Sequence, residues 1–234
     1  MTKRLFIVAN WKSNKTLEEV KSWFDEVGKF PVPEGKTVII CAPFIFLSEM
    51  YAIIKSKNLS IKLGVQNISP FGQGAYTGEI FAGQAADFVT YALIGHSERR
   101  RYFHETDDDV IAKLKQLIEK AVTPILCVSD MKQMDYYLSK DSIVKDKASD
   151  IIFVYEPPDA ISRNGQFRAE NPETANQNAA QISQKIGKKV ITLYGGSINS
   201  DNVRSFFTLD NIDGGLVGQA SLDPLEFLQI IKNA

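Results

Sequence analysis

A single-domain (β/α)8 barrel over residues 1–234 is the fold the sequence predicts. Three observations carry that expectation. Short apolar runs alternate with longer amphipathic segments from end to end of the chain. Eight such pairs fit the 234 residues at roughly 29 residues per unit, inside the usual range for an eightfold barrel. No glycine- or proline-rich linker and no shift of composition divides them. An open doubly wound sheet is the competing arrangement, and eight near-equal units favour closure.

The apolar runs are Leu5–Ala9, Thr37–Cys41, Ile61–Val65, Tyr91–Ile94, Thr123–Val128, Ile151–Tyr155, Val190–Tyr194 and Gly214–Val217. They do not alternate polar with apolar, which is how strands of a parallel sheet read when both faces are covered. Between them lie helix signals. Thr16-Leu17-Glu18-Glu19 is a capping-box pattern, and Leu17, Val20, Phe24 and Val27 behind it share one stripe. Thr106 precedes three aspartates, with Ile111, Leu114, Leu117 and Ile118 as the apolar face that follows. Asn171-Pro172 and Asp223-Pro224 each put a capping residue before a proline at the first helical position. Ser200 is the expected cap of a helix over 201–207. The fifth unit is thin: Met131–Asp150 is polar and weakly amphipathic, so a short or irregular helix is expected there.

Composition narrows the function. Lysine plus arginine is 27 against 28 for aspartate plus glutamate, a balance that argues against a general nucleic-acid or membrane-surface binder. No apolar run approaches the length of about 18 residues that a membrane span needs. The N-terminal run meets Asn10-Trp11-Lys12 and reads as a strand rather than a signal peptide. Cys41 and Cys127 each end an apolar run, as buried reduced thiols of a cytoplasmic protein would. With two histidines and two distant cysteines, no metal site is expected. Walker A, His-Glu-x-x-His and G-x-S-x-G motifs are all missing. Arg99-Arg100-Arg101 reads as a surface ion-pair cluster and His104 as a solvated side chain.

In a barrel of this kind, chemistry gathers just past the strand ends. Those positions hold Asn10 and Lys12, Gly95 and His96, Glu156, Gly195-Gly196-Ser197, and Gly218. Glu156 at the mouth of an apolar strand is desolvated, which favours a raised pKa and suits a general base. Its alternative is a capping or ion-paired carboxylate. His96 precedes Ser97-Glu98, near a helix N-terminus that disfavours imidazolium. A neutral ring there can donate to a carbonyl oxygen, or it is a satisfied core histidine. Lys12 offsets an anion, forms a Schiff base, or is a surface charge. The small-residue turns after strands seven and eight expose N–H groups to an anion, or are simply tight turns.

Taken together and in order, several motifs resemble those of the triosephosphate isomerase family across essentially the whole chain. They are Asn10-Trp11-Lys12, Gln66-Asn67 with Gly72–Glu79, Ile94-Gly95-His96-Ser97-Glu98-Arg99-Arg100, Tyr155-Glu156-Pro157, Tyr194-Gly195-Gly196-Ser197 and Leu216–Leu222. The resemblance implies a TIM barrel that interconverts dihydroxyacetone phosphate and D-glyceraldehyde 3-phosphate through a cis-enediolate, in glycolysis and gluconeogenesis, with no cofactor. It implies Glu156 as base, His96 as neutral electrophile, Lys12 and Asn10 as electrostatic partners, and Glu98 as the carboxylate beside Lys12. It places Gly196, Ser197, Gly218 and Gln219 in the phosphate turns, with Ser162 offering an N–H from the lid. Loop closure over the substrate is the behaviour this family exemplifies. The resemblance also implies a cytoplasmic homodimer in which Gly74, Tyr76 and Thr77 enter the partner, Thr77 reaching the partner subunit's Asn10. Read without it, the same loop is an ordinary surface turn.

The chain departs from the family pattern in three places. The lid after Glu156 usually reads Pro-Val-Trp-Ala-Ile-Gly-Thr-Gly; here Asp159 replaces the tryptophan and Ser162 the glycine. Gln219 replaces a glycine, and if that position needs positive φ the strain is about 1 kcal/mol or more. The Met131–Asp150 connection is short for the family, which should affect stability more than chemistry. Two further readings stay open: a Schiff-base aldolase using Lys12, and a non-catalytic barrel that binds sugar phosphates.

Overall fold

The computed structural model describes residues 3–161 and 167–234. Its eight strands form a closed parallel barrel in sequence order. They are β1 Leu5–Asn10, β2 Lys36–Ala42, β3 Lys62–Val65, β4 Tyr91–Ile94, β5 Thr123–Val128, β6 Ile152–Tyr155, β7 Ile191–Tyr194 and β8 Gly214–Val217. Each lies within one residue of the corresponding apolar run at either end. Closure falls between β1 and β8, where Phe6 pairs with Gly214. Gly214 sits at φ +140°, and a Cβ there would meet the Phe6 carbonyl oxygen at 1.9 Å, so this seam accepts only glycine.

Around the barrel run α1 Leu17–Val27, α2 Leu47–Ser56, α3 Ala82–Ala86, α4 Ser97–Phe103, α5 Asp107–Glu119, α6 Met131–Lys140, α7 Ile143–Asp146, α8 Pro172–Ile186, α9 Val203–Phe207 and α10 Pro224–Asn233. Alternation along the strands divides the core in two. Phe6, Val8, Ile39, Leu93, Ile125, Val154 and Leu193 belong to one apolar cluster, and Ile7, Ala9, Val38, Ile40 and the helix faces to the other. Both cysteines are free and buried, and burial pushes the Cys41 thiol up to about 12. No described helix is long and apolar enough to cross a membrane.

The capping boxes at Thr16 and Thr106 form as expected, and Asn171 and Asp223 cap α8 and α10 ahead of their prolines. Leu17 is exposed, and Trp23 takes its place on the buried face of α1. The Ser200 cap is overturned. Asn199 Oδ1 accepts from the Asp201 and Asn202 N–H groups at 3.2 and 2.9 Å, while Ser200 Oγ donates to Glu226 across to α10. The fifth unit is more regular than expected. Its ten-residue α6 is capped by Asp130, which accepts from Gln133 N at 2.9 Å, and buries Met134 and Tyr137. Irregularity is confined to α7 and a 3-10 turn at Ala148–Asp150.

Candidate active site

The site is built where β1, β4, β6, β7 and β8 end. Asn10 closes β1, buried, and its Oδ1 accepts from the Lys12 N–H at 3.0 Å. That bond turns the chain sharply, and Lys12 takes φ +51°, a left-handed conformation that costs a non-glycine residue energy. Gln66 Nε2 steadies the turn by donating to the carbonyls of Lys12 and Cys41 at 2.9 and 3.0 Å. The Lys12 ammonium pairs with Glu98 Oε1 at 2.7 Å.

Past β4, Gly95 at φ +72° swings the chain into α4, and His96 becomes the N-cap. Its Nδ1 accepts from the Glu98 N–H at 3.2 Å. A nitrogen that accepts carries no proton of its own, so the ring proton of a neutral His96 sits on Nε2. Nε2 lies 3.0 Å from Glu156 Oε1. Ser97 holds the same carboxylate, its Oγ donating to Oε1 at 2.9 Å and its N–H to Oε2 at 3.0 Å. The expected upward shift of Glu156 is corrected here. Burial does push this fully enclosed carboxyl up, but the facing imidazole and the two Ser97 donors outweigh it and leave the pKa below the ordinary value. Position at a strand mouth signals the desolvation but neither the facing His96 nor the Ser97 donors.

Asn10, Lys12, His96, Glu156, Gly196, Ser197, Gly218 and Gln219 all line one cavity of about 530 Å³. Asn14, Phe167 and Asn199 join them without having been anticipated. Ser197 N and Oγ each donate to Ala160 O at 2.9 Å, and Ser197 Oγ accepts from Arg168 N at 3.2 Å. The turn after β7 is thereby tied to the chain on both sides of residues 162–166. Ser162, Arg163, Asn164 and Gly165 lie outside the described residues, and Asp159 is exposed in a 3-10 turn. The strain anticipated at Gln219 is absent. Gly218 absorbs the corner at φ −85°, ψ −110°, and Gln219 opens a right-handed 3-10 turn, outside the positive-φ set.

Gly74, Tyr76 and Thr77 are exposed on the loop after β3. The Phe71 and Tyr76 rings stack at 4.4 Å and stiffen it. His104 is exposed, as expected. The arginine run is not simply a surface cluster. Arg99 and Arg100 do pair with Glu105 and Asp107, but the Arg100 side chain is only 17% exposed and its Nε donates to the Gly95 carbonyl at 2.9 Å. Glu105 and Lys113, unremarked in the sequence, are both buried beneath this corner.

A closed parallel barrel with a carboxylate, an imidazole, an ammonium and turn amides around one cavity at its strand ends has the architecture of a barrel enzyme. The triosephosphate isomerase family model matches residues 5–234. Curated triosephosphate isomerases align along nearly their full length. The protein from Mesomycoplasma hyorhinis is 36% identical, covering 97% of this chain and 98% of its own. That from Thermus thermophilus is 33% identical over 99% of each, and that from Polynucleobacter asymbioticus 32% over 97% and 98%. The chain belongs to the triosephosphate isomerase family.

Proposed function

We propose that this chain interconverts dihydroxyacetone phosphate and D-glyceraldehyde 3-phosphate through a cis-enediolate, as a homodimer serving glycolysis and gluconeogenesis in the cytoplasm. The observation that carries the reading is the 3.0 Å approach of His96 Nε2 to Glu156 Oε1 at the wall of a cavity that also holds Lys12 and the turn amides. Glu156, released from Ser97, takes the proton from one substrate carbon and returns it to the neighbouring carbon. His96 presents Nε2–H to the carbonyl oxygen and shuttles the proton between the two oxygens. Lys12 and Asn10 offset the developing enediolate charge, and Glu98 orients Lys12. The phosphate lies on N–H groups of Gly196, Ser197, Gly218 and Gln219, with Ser162 closing over it. This chemistry needs only side chains that move protons.

The test is turnover of glyceraldehyde 3-phosphate by wild type and Glu156→Gln in parallel. The amide keeps the shape and removes the base, so kcat should fall by about 10³-fold or more. Equal turnover by the two proteins would refute the assignment of the base.

A further inference from the structure

The corner that carries His96 is held from an unexpected direction. Gly95 is gripped at both ends of its backbone: its N–H donates to Glu105 Oε1 at 3.2 Å, and its carbonyl accepts from Arg100 Nε at 2.9 Å. The guanidinium lies close against this residue, since a Cβ on Gly95 would sit 3.0 Å from Arg100 Nη2. Gly95 has a left-handed backbone with no side chain to lock it. These two charged groups therefore set the peptide orientation from which the His96 side chain projects.

Arg100 is itself aimed by the fifth unit. Its Nη1 donates to Asp107 Oδ1 at 2.6 Å, and its Nη2 donates to the Tyr137 hydroxyl. Tyr137 lies on α6, 1% exposed, with its ring among the core residues. A second strut runs beside it. Gln133, one turn earlier, accepts from Ser129 N at 2.8 Å and donates to Asp107 Oδ1 at 3.1 Å. The helix that looked weakest in the sequence thus bears on the corner holding the electrophile.

We infer that Tyr137 is a positioning residue for His96, acting through Arg100 and the Gly95 carbonyl. The inference rests on His96 being the electrophile. Without the hydroxyl, Arg100 Nη2 loses its acceptor and the buried guanidinium must turn to find another. Such a turn moves Nε away from the Gly95 carbonyl. Small misplacements of a reacting group cost rate steeply, whereas the phosphate turns that hold substrate are untouched.

The experiment compares wild type, Tyr137→Phe and Met134→Ala by kcat, KM and thermal unfolding, with the 15N resonances of the His96 ring recorded on each. With two histidines in the chain, the ring signals are readily assigned. Met134 is buried on the same helix and supplies a destabilised control. Tyr137→Phe should lower kcat about tenfold with KM within about twofold, and should shift the His96 Nε2 resonance. Met134→Ala should lose Tm while keeping both. A Tyr137→Phe protein with wild-type kcat, or with lowered kcat and an unmoved His96 resonance, would overturn the inference. If Tyr137→Phe does not fold, Arg100→Lys is read by the same two criteria. Absence of turnover in wild type would instead remove the isomerase reading, and the His96 resonance would then decide the positional claim alone.

Discussion

The buried ion cluster under the β4–α4 corner offers the sharpest test of how this barrel is stabilised. Lys113 Nζ lies 2.5 Å from Glu105 Oε2, with side-chain exposures of 3% and 2%. It also donates to Asn67 Oδ1 at 2.7 Å. Burial pulls the Lys113 ammonium below its ordinary value and Glu105 opposes that pull. Removing one member of a buried pair costs about 3–5 kcal/mol, because the other is left charged in a poor solvent. Here Arg99 Nε remains 2.5 Å from the same oxygen, and the Gly95 N–H still donates to Oε1. The cost of Lys113→Met should therefore fall to about 2–3 kcal/mol. At about 2–4 °C per kcal/mol for a chain of this size, Tm should drop by about 4–12 °C. Thermal unfolding at fixed protein concentration measures this, with Glu105→Gln and the double variant completing a cycle. The double variant should lose less than the sum of the singles. A Lys113→Met drop under about 1 °C, or strict additivity in the cycle, would refute the reasoning.

Other consequences are open to measurement. The folded pKa of Glu156 is depressed, so its ionisation contributes stability that is present above the ordinary glutamate value of about 4.3 and is lost as pH falls through the folded value. Below about pH 4.3, wild type should therefore lose unfolding free energy more steeply than Glu156→Gln; parallel slopes would contradict the shift. Gln219→Gly should leave stability unchanged or lower it by up to about 1 kcal/mol, since no left-handed strain exists to relieve. A rise in denaturant midpoint would restore the strain argument. Thr77→Arg should weaken the proposed dimer, read as a shift toward monomer in sedimentation at low concentration.

The strand pattern was legible because parallel strands covered on both faces must be apolar throughout, and eight such runs have few ways to arrange. The residues that share the cavity were legible because most of them follow those runs directly. What escaped the sequence is long-range pairing. His96 and Ser97 stand about 60 residues from Glu156, and nothing local signals that the imidazole and the two Ser97 donors together reverse the shift expected from burial. Arg100 sits in a charged run that reads as surface, but its partners at Gly95 and Tyr137 make it part of the corner that carries His96. The strength of α6 was hidden for the same reason. A tyrosine counts for little as an apolar stripe residue, yet it is buried at 1% exposure once its hydroxyl has a guanidinium to meet. At Gln219 the error was one of geometry: the glycine before it carries the unusual backbone angles.

The groups assigned to catalysis rest on partners inside the protein. The Glu156 carboxylate takes both Ser97 donors, and the Ser197 N–H is directed at the Ala160 carbonyl. Buried polar groups demand such partners, because leaving one unpaired costs about 1–3 kcal/mol. A substrate that supplies a phosphate oxygen to Ser197 exchanges one hydrogen bond for another rather than creating one. The Ala160 carbonyl keeps the Ser197 Oγ donor at 2.9 Å, so the chain entering residues 162–166 stays anchored through that exchange. For Glu156 the exchange has a second effect. Leaving Ser97 removes two of the contacts that depress its pKa. In the proposed mechanism, breaking those two contacts makes the Glu156 carboxylate a stronger base than it is at rest on Ser97.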